Sequence, residues 1–250
     1  MSNKKSMIVG FIPARYGSTR FPGKPLIEIH GKPMIQHVWE RSLRSKYIDR
    51  LIVATDDKRI FNAVKKFGGE VVMTSRNHKS GTDRIGEAVK NIACDIVVNI
   101  QGDEPFIDPK NIDRAIEPLL EDKKLNVSTL CFKISDRAEI YDYNVVNVVF
   151  DKDYNCLYFS RYPIPYNRDK KLDTDYYKHI GLYVYRKKFL MELIKMKQTK
   201  MEKAERLEQL RILENGEKIR AVLTNKDSVS IDTEEDLEKL IKKSRKIYNF

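Results

Sequence analysis

Two cations and two glycines follow the first apolar run of the chain, and these residue types suit phosphate binding. The cations are Arg15 and Lys24, and the glycines are Gly17 and Gly23. Backbone N–H groups of a tight glycine loop can hold phosphate oxygens, while arginine and lysine add charge-assisted hydrogen bonds. Five residues separate the glycines and Pro25 follows the lysine, so the loop matches neither a P-loop nor a dinucleotide-binding fingerprint. We predict a phosphate-binding loop, and the open alternative is a surface turn with solvated cations.

Acidic residues end two later apolar runs. Asp103 and Glu104 follow the run at 96–101, and Asp232 follows another one. Magnesium commonly takes one or two carboxylates together with the phosphates of its substrate, so these carboxylates predict a metal site if they meet the glycine loop. For Asp232 the local sequence favours a different role, the cap of a helix that starts near Glu234.

Two more polar segments could join the glycine loop and the acidic residues in one site. Thr55 and Asp56 end an apolar run, and Ser80 and Gly81 precede a helical pattern. A hydroxyl in that place either caps the helix or contacts a ligand at its N-terminus. The residues alone leave both interpretations open.

The pattern of the first half predicts the elements that position these segments. Short β-branched runs alternate with helical patterns, which is typical of an α/β fold with a Rossmann-like, mostly parallel sheet flanked by helices. Strands are predicted at 7–13, 51–55, 70–74 and 96–101, and helices at 33–46, 58–67, 82–91 and 109–122. Ligands of such sheets bind beyond the carboxyl ends of the strands, which is where the polar segments lie.

Prolines and glycines mark several boundaries. Pro33 and Pro109 suit the first turn of a helix, where a missing N–H costs nothing, and the pair Gly68-Gly69 suits a helix end. The tripeptide Gly31-Lys32-Pro33 resembles Gly23-Lys24-Pro25, but we interpret it as the end of a short strand and the start of a helix.

The second half is richer in strands. The segment Asp151–Asp153 lies between two of them and is typical of a hairpin turn. Because no linker, low-complexity tract or long repeat divides the chain, we predict one domain over residues 1–250 with a β-rich excursion in its second half. Strands are predicted at 127–134, 145–150, 156–159, 179–185 and 219–223, and helices at 187–197, 203–214 and 234–246.

The composition excludes several classes of protein. Of 250 residues, 41% are hydrophobic and 33% are charged, which is typical of a globular chain with a full core. Cys94, Cys131 and Cys156 are widely spaced and form no C-x-x-C pair, so we expect a reducing, cytoplasmic compartment. The apolar run near the N-terminus has seven residues, too few for a secretion signal or a membrane span.

The net charge of +11 permits nucleic acid, an acidic surface or a small anion as partner. Apart from the tail Lys242–Lys246, the cations are interspersed with acids. A nucleic-acid-binding protein is therefore the less favoured hypothesis, because scattered charge forms no binding footprint. We expect neither nucleic acid nor a membrane as partner.

Eight segments in this order resemble the 3-deoxy-D-manno-octulosonate (Kdo) cytidylyltransferase family, the CMP-Kdo synthetases, over nearly the whole chain. The loop Ile12–Leu26 occurs in many sugar nucleotidyltransferases, whereas Gln101–Pro105 and Leu207–Arg211 are the discriminating segments. The other five are Ala54–Asp56, Ser80–Arg84, Leu157–Arg161, Lys178–Tyr183 and Ile231–Leu237.

The resemblance implies a nucleotide-diphospho-sugar transferase type of fold. Its nucleotide-binding half would cover about 1–125, and a half for sugar binding and dimerisation about 126–250. It implies that CTP and Kdo, an acidic eight-carbon sugar, give CMP-Kdo and pyrophosphate with the help of Mg²⁺. It further implies a homodimer that serves lipopolysaccharide biosynthesis.

The resemblance also implies roles for single residues. Arg15 and Lys24 would grip the triphosphate, and Asp103 and Asp232 would bind magnesium, which replaces the helix-cap interpretation of Asp232; these four would be catalytic. The nucleotide would be held by Pro13, Ala14, Arg15, Lys24, Thr55, Asp56, Ser80, Gly81 and Arg84. The sugar would be held by Gln101, Arg161, His179, Tyr183, Glu208 and Gln209.

One position departs from the pattern of that family. Asn147 stands where the family usually carries lysine, and the pattern around Glu202–Glu205 is only partly kept. The sugar therefore stays open, with amino-substituted Kdo, a sialic-type acidic sugar or a sugar phosphate as alternatives. The segment Ser18–Pro22 argues against the sialic type, which usually has lysine followed by asparagine in this loop.

Overall fold

The computed structural model describes residues 6–17, 21–169 and 173–240. The predictions for Ser18–Arg20 and for Lys242–Lys246 lie outside these residues. The described chain divides into two compact units. The first unit contains residues 7–94, 99–110 and 228–240, and the second contains residues 95–98 and 111–227. The single domain over 1–250 stays a prediction.

The first unit alternates strands and helices along the chain. Its two longest strands are buried on both faces, so they are almost continuously apolar; in the first one, Val9, Phe11 and Ile12 are fully buried. In chain order its elements are β1 (Ile8–Ala14), a 3₁₀ helix (Lys24–Leu26), β2 (Glu28–Ile29), β3 (Lys32–Pro33), α1 (Met34–Ser42), β4 (Arg50–Thr55), α2 (Lys58–Lys66), β5 (Val71–Met73) and α3 (Gly81–Val89).

The register of the first unit brings its chemistry to one edge. β1 and β4 are parallel with Ala14 opposite Thr55, and β5 is parallel to β4. The N–H of Ile100 donates to the carbonyl of Phe11 at 2.9 Å, so the chain beyond 100 runs beside β1. Gly102 lies so close that a Cβ there would be 3.0 Å from the carbonyl oxygen of Pro13. The carboxyl end of β1 is therefore flanked by residues 55–56 and 101–103.

The second unit is richer in antiparallel pairing. β7 is parallel to β11 and antiparallel to β10, while β8 pairs with both β10 and β9 in antiparallel fashion. In chain order its elements are β6 (Ile96–Asn99), α4 (Pro109–Glu121), β7 (Val127–Lys133), α5 (Arg137–Ile140), β8 (Asn147–Phe150), β9 (Cys156–Ser160), β10 (Tyr177–Arg186), α6 (Lys187–Leu193), α7 (Lys200–Glu205), α8 (Leu210–Glu214) and β11 (Ile219–Thr224).

Most predicted elements are confirmed to within a few residues, and the α/β fold class is confirmed. Gly68 has φ +82° after α2, as a helix end requires. Antiparallel pairing of β8 and β9 confirms the turn at Asp151–Asp153. Pro109 begins α4, whereas Pro33 precedes the first residue of α1 rather than lying in its first turn.

Three predictions of local structure are wrong. The helix predicted at 203–214 is two helices, α7 and α8, because Arg206 adopts a left-handed conformation with φ +55°. The helix predicted at 33–46 already ends at Ser42. Gly31 does not end a strand before a helix but turns the β2–β3 hairpin with φ +75°. For the last predicted helix, the structure describes residues 234–240 as helical.

All three cysteines are free thiols, as predicted. Burial raises the pKa of the Cys131 thiol to about 12, so it stays protonated at neutral pH. Among the described residues, every helix is too short or too polar to cross a bilayer.

Candidate active site

A cavity of about 390 Å³ opens at the carboxyl end of β1, and all the residues around it belong to the first unit. It gathers four of the five polar segments that the sequence singled out: the glycine loop, the helix start at Ser80, the Asp103 turn and Asp232. It is lined by Pro13, Ala14, Arg15, Lys24, Pro25, His78, Lys79, Ser80, Gly81, Arg84, Gln101, Gly102, Asp103 and Asp232.

Lys24 lies at the centre of the charged groups of this cavity. Gly23 precedes it with φ +73°, a left-handed conformation that favours glycine, and the 3₁₀ helix begins at Lys24 itself. The Lys24 ammonium donates to Asp103 Oδ2 at 2.7 Å and to Asp232 Oδ1 at 3.2 Å. The side chain of Lys24 is only 14% exposed, so this charge is held in place between two carboxylates.

Asp232 faces the cavity because other residues cap the helix that follows it. The Thr233 hydroxyl accepts the N–H of Asp236, and the Asp236 carboxylate accepts the N–H groups of Asp232 and Thr233. This reciprocal pair satisfies the helix start, so the local preference for Asp232 as the cap is wrong. The N–H of Ile231 donates to the carbonyl of Asp103 at 2.9 Å, which brings the two carboxylates together.

The start of α3 forms another wall of the cavity. The Ser80 hydroxyl accepts the N–H of Asp83 at 3.1 Å, so Ser80 caps the helix and lines the cavity as well. A Cβ on Gly81 would lie 3.1 Å from Pro13 Cγ. Glycine at this position therefore allows the helix N-terminus, an end that favours anions, to approach the end of β1 closely.

Arg84 and Asp56 form an ion pair at the edge of the cavity. The Arg84 guanidinium is almost fully buried and donates to Asp56 Oδ2 at 2.9 Å and to the Thr74 hydroxyl at 2.6 Å. Arg84 lines the cavity, whereas Thr55 and Asp56 do not. Asp56 thus holds Arg84, and the buried Thr55 hydroxyl accepts the N–H of Asp57.

Two further cations face the cavity. Arg15 and Lys79 line it, and neither forms an ion pair with any residue that the structure describes. The predictions missed Lys79, His78, Pro25 and Gly102 as lining residues. A signal for the first two was available, because both directly precede the helix start at Ser80.

The carboxylates offer the kind of ligands that a hard divalent cation prefers. Asp103 and Asp232 both lie within hydrogen-bonding distance of one ammonium group, so their oxygens already converge on a positive charge. Among the described residues, no group of three or more His, Cys, Asp or Glu side chains is arranged to hold a metal. Two carboxylates nevertheless fit magnesium, which fills its remaining positions with water and substrate phosphates.

Of the residues predicted for the sugar, Gln101 lies in this cavity and the other five lie in the second unit. The His179 imidazole Nε2 is 2.9 Å from the Thr129 hydroxyl, and its ring lies 5.2 Å from that of Tyr183. Burial lowers the pKa of His179 to about 3, so the ring is neutral at physiological pH. Burial raises the pKa of Tyr183 well above its ordinary value.

Arg161 is anchored before any ligand arrives. Its Nε donates to the carbonyl of Glu205 at 2.9 Å and its terminal nitrogen to the carbonyl of Tyr143 at 3.1 Å. Gln209 is buried where α8 begins, and Glu208 next to it is partly exposed. The two hydrogen bonds therefore fix the Arg161 guanidinium within the second unit.

Comparisons with known proteins identify the family of this chain. A family model described as "Cytidylyltransferase" matches residues 9–219. A 3-deoxy-manno-octulosonate cytidylyltransferase of Geobacter sulfurreducens is 51% identical over 246 residues, which cover 94% of this chain and 98% of the relative. The chain belongs to the 3-deoxy-manno-octulosonate cytidylyltransferase family.

Two other members of this cytidylyltransferase family are similarly close. A 3-deoxy-manno-octulosonate cytidylyltransferase of Syntrophus aciditrophicus is 52% identical over 233 residues, which cover 92% of this chain and 94% of the relative. A solved structure of CMP:2-keto-3-deoxy-manno-octonic acid synthetase complexed with CTP is 42% identical, with a TM-score of 0.92. The match covers 96% of this chain and 99% of the chain in that structure. The family resemblance stated from the sequence is confirmed.

Proposed function

We propose that this chain transfers CMP from CTP to Kdo and releases pyrophosphate. The observation that carries the proposal is the Lys24 ammonium held between Asp103 and Asp232 in the cavity at the end of β1. Relatives that carry the Kdo cytidylyltransferase name, and the similar structure complexed with CTP, support the same activity.

The cations of the cavity suit the triphosphate of CTP. Arg15 and Lys79 bring charge that no described acidic residue neutralises, and Lys24 brings a third cation close to the carboxylates. Pro13, Ala14 and the start of α3 at Ser80 and Gly81 would bind the rest of the nucleotide through backbone groups. Arg84, held by Asp56, would line the same site from a fixed position.

The chemistry proposed is an in-line displacement at the α-phosphorus. The anomeric hydroxyl of the sugar gives up its proton to solvent water and forms an O–P bond, while the bond from the α-phosphorus to the bridging oxygen breaks and pyrophosphate leaves. Positioning and neutralisation of charge carry such a reaction. Lys24 and Arg15 would oppose the charge that grows on the leaving pyrophosphate.

Magnesium would be held by Asp103 and Asp232, whose oxygens already converge on one positive charge. When bound, magnesium would act as a Lewis acid on the phosphate oxygens. These two carboxylates would also keep Lys24 near the phosphates through their ion pairs.

We propose a role in sugar recognition for Gln101 in the cavity. The same role is proposed for five residues of the second unit, namely Arg161, His179, Tyr183, Glu208 and Gln209. Arg161 supplies a cation for the sugar carboxylate, and the neutral His179 supplies a hydrogen-bonding group for a hydroxyl. Asn147 stands where the family usually carries lysine, and it is fully buried in β8. Because of this departure, amino-substituted Kdo is kept as the alternative substrate.

A homodimer in the cytoplasm that serves lipopolysaccharide biosynthesis completes the proposal. Four tyrosines of the second unit are each more than 70% exposed, and exposed aromatic side chains are typical of interfaces. They are Tyr141, Tyr143, Tyr162 and Tyr166. Light scattering at micromolar concentration is expected to give twice the mass of one chain, and a monomer would contradict this part of the proposal.

Turnover with a panel of acidic sugars tests the activity itself. Pyrophosphate release is measured with CTP and Mg²⁺ in the presence of Kdo, an amino-substituted Kdo, a sialic acid and a sugar phosphate. We expect release with Kdo or its amino variant and none with the others. Release with another sugar while both Kdo forms are inert would overturn the proposal.

A further inference from the structure

Tyr16 packs against the glycine that precedes Lys24. The N–H of Gly23 donates to the carbonyl of Tyr16 at 2.9 Å, and a Cβ on Gly23 would lie only 3.1 Å from the Tyr16 ring. Because Gly23 also has a positive φ, no other residue fits there without strain. The Tyr16 ring therefore forms one wall of the turn from which Lys24 projects.

Arg59 covers Tyr16. Its guanidinium carbon lies 3.2 Å from the centroid of the ring, the geometry of a cation–π contact. Arg59 is fixed in turn by Asp57, which accepts its Nε at 2.9 Å and its terminal nitrogen at 2.7 Å. This two-bond contact with a carboxylate sets the plane of the guanidinium over the ring.

Asp57 is itself anchored at the start of α2. One of its carboxylate oxygens accepts the N–H of Arg59 at 2.8 Å and caps the helix, and its own N–H donates to the Thr55 hydroxyl at 3.2 Å. The hydrogen bonds from Arg59 lower the pKa of Asp57 to about 2, so its charge persists at any physiological pH. A chain of contacts thus leads from the end of β4 through Asp57, Arg59 and Tyr16 to Gly23.

We propose that Asp57, Arg59 and Tyr16 form a strut that positions Lys24 for catalysis. The strut touches neither Asp103 nor Asp232 in the contacts described above, and its members do not line the cavity. It would act by holding the Gly23 turn, so these are positioning residues. The inference rests on the proposed function only where it concerns turnover.

The exposure of Arg59 separates this role from a general contribution to stability. Its side chain is 59% exposed, and ion pairs so open to solvent add little to folding. Loss of Arg59 is therefore expected to leave the thermal unfolding midpoint within about 2 °C of the wild type, since changes at exposed positions seldom alter stability much. We expect the loss of Arg59 to change the amide exchange of the Gly23 turn and the kcat instead.

The chain offers a matched control on the same helix. The Lys65 ammonium lies 5.9 Å from the centroid of the Phe61 ring, so it is a second cation of α2 that lies over an aromatic ring. In the part of the chain that the structure describes, this ring belongs to α2 itself and not to the glycine loop. Lys65→Ala removes a comparable exposed cation. Tyr16→Phe keeps the ring and removes only the hydroxyl.

The first test measures hydrogen exchange of the Gly23 and Leu26 amides in the protein without substrates. Both amides are bonded within the turn, to the carbonyls of Tyr16 and Gly23. Arg59→Ala and Tyr16→Leu are expected to speed their exchange about fivefold or more, because local opening becomes easier. Lys65→Ala and Tyr16→Phe should leave it unchanged. Unchanged exchange in Arg59→Ala and Tyr16→Leu would overturn the strut, whatever the enzyme does with CTP.

The second test separates kcat from KM in turnover of CTP with Kdo. A displaced Lys24 loses contacts that strengthen as pyrophosphate leaves, so Arg59→Ala should lower kcat about tenfold and change the KM for CTP less than twofold. The double variant Tyr16→Leu/Arg59→Ala should lose no more than the worse single variant. If kcat of Arg59→Ala equals that of Lys65→Ala, the positioning role is wrong. If the wild type shows no turnover while exchange responds as expected, the proposed function fails and the strut stands.

Discussion

The Lys24 ammonium lies 2.7 Å from a carboxylate oxygen of Asp103, a residue 79 positions later in the chain. The same nitrogen lies 3.2 Å from Asp232, which is 208 positions away. One cation therefore joins three distant segments at the end of β1. Changes at any of the three are expected to act on the same chemical step.

Replacing Lys24 with methionine should lower turnover by roughly 10²- to 10³-fold, the scale of losing one preorganised donor. The reason is that the charge on the departing pyrophosphate loses its partner. Lys32→Met is the matched control, because Lys32 occupies a similar Gly-Lys-Pro tripeptide but pairs with Glu40 at 2.8 Å. Pyrophosphate release at saturating CTP measures both variants. Equal losses in the two would show that Lys24 has no special role.

The variants Asp103→Asn and Asp232→Asn should each reduce activity and raise the magnesium concentration needed for half-maximal turnover. An amide carries no charge and binds a hard cation more weakly than a carboxylate. Titration of Mg²⁺ against initial rate gives the shift. As a control, Asp236→Asn alters the helix cap beside Asp232 and should change stability more than magnesium demand. Full activity in both Asp103→Asn and Asp232→Asn would refute the metal assignment.

Replacing Arg84 with methionine should destabilise the fold by about 3 kcal/mol, because it leaves Asp56 without its buried partner. Arg50→Met removes an exposed arginine that pairs with Glu70, and should cost less than about 1 kcal/mol. Urea unfolding followed by circular dichroism measures both. A cost for Arg84→Met no larger than for Arg50→Met would mean that the buried pair contributes little.

His179 should make stability depend on pH below its ordinary pKa. Burial lowers the pKa of the folded state to about 3, so the unfolded chain takes up a proton below pH 6.5 while the folded chain does not. Stability is therefore lost as pH falls from 6.5 toward 3. His179→Gln should remove this loss, and the wild type should lose about 2 kcal/mol more than the variant between pH 7.5 and 5. The free energy of unfolding is measured with urea at both pH values. If the wild type and His179→Gln lose the same amount between them, the burial effect is contradicted.

Much of the fold could be predicted because its signals are local. The runs that became β1 and β4 are β-branched and almost wholly apolar, since both faces of the strands are buried. Gly68 ended α2 because its left-handed conformation needs no tertiary partner. The same holds for the turn between β8 and β9, where the Asp151 carboxylate bonds to nearby N–H groups.

Other boundaries escaped prediction although local causes exist. The break between α7 and α8 depends on a left-handed arginine, Arg206, and nothing in that residue type announces it. The cap at the last helix did have a signal. Thr233 and Asp236 are three residues apart, as in a capping box, and this spacing leaves Asp232 available for the cavity.

The two Gly-Lys-Pro tripeptides divide what the sequence determined from what the tertiary structure decided. The sequence determined that each lysine follows a glycine, the residue that most readily takes a positive φ, and both glycines do so, with φ +73° at Gly23 and +75° at Gly31. Only the fold decided that Lys24 meets Asp103 and Asp232, whereas Lys32 meets Glu40 on the surface. The physical reason is that a charge takes its role from neighbours in space, and strand pairing brings such neighbours together from distant parts of the chain.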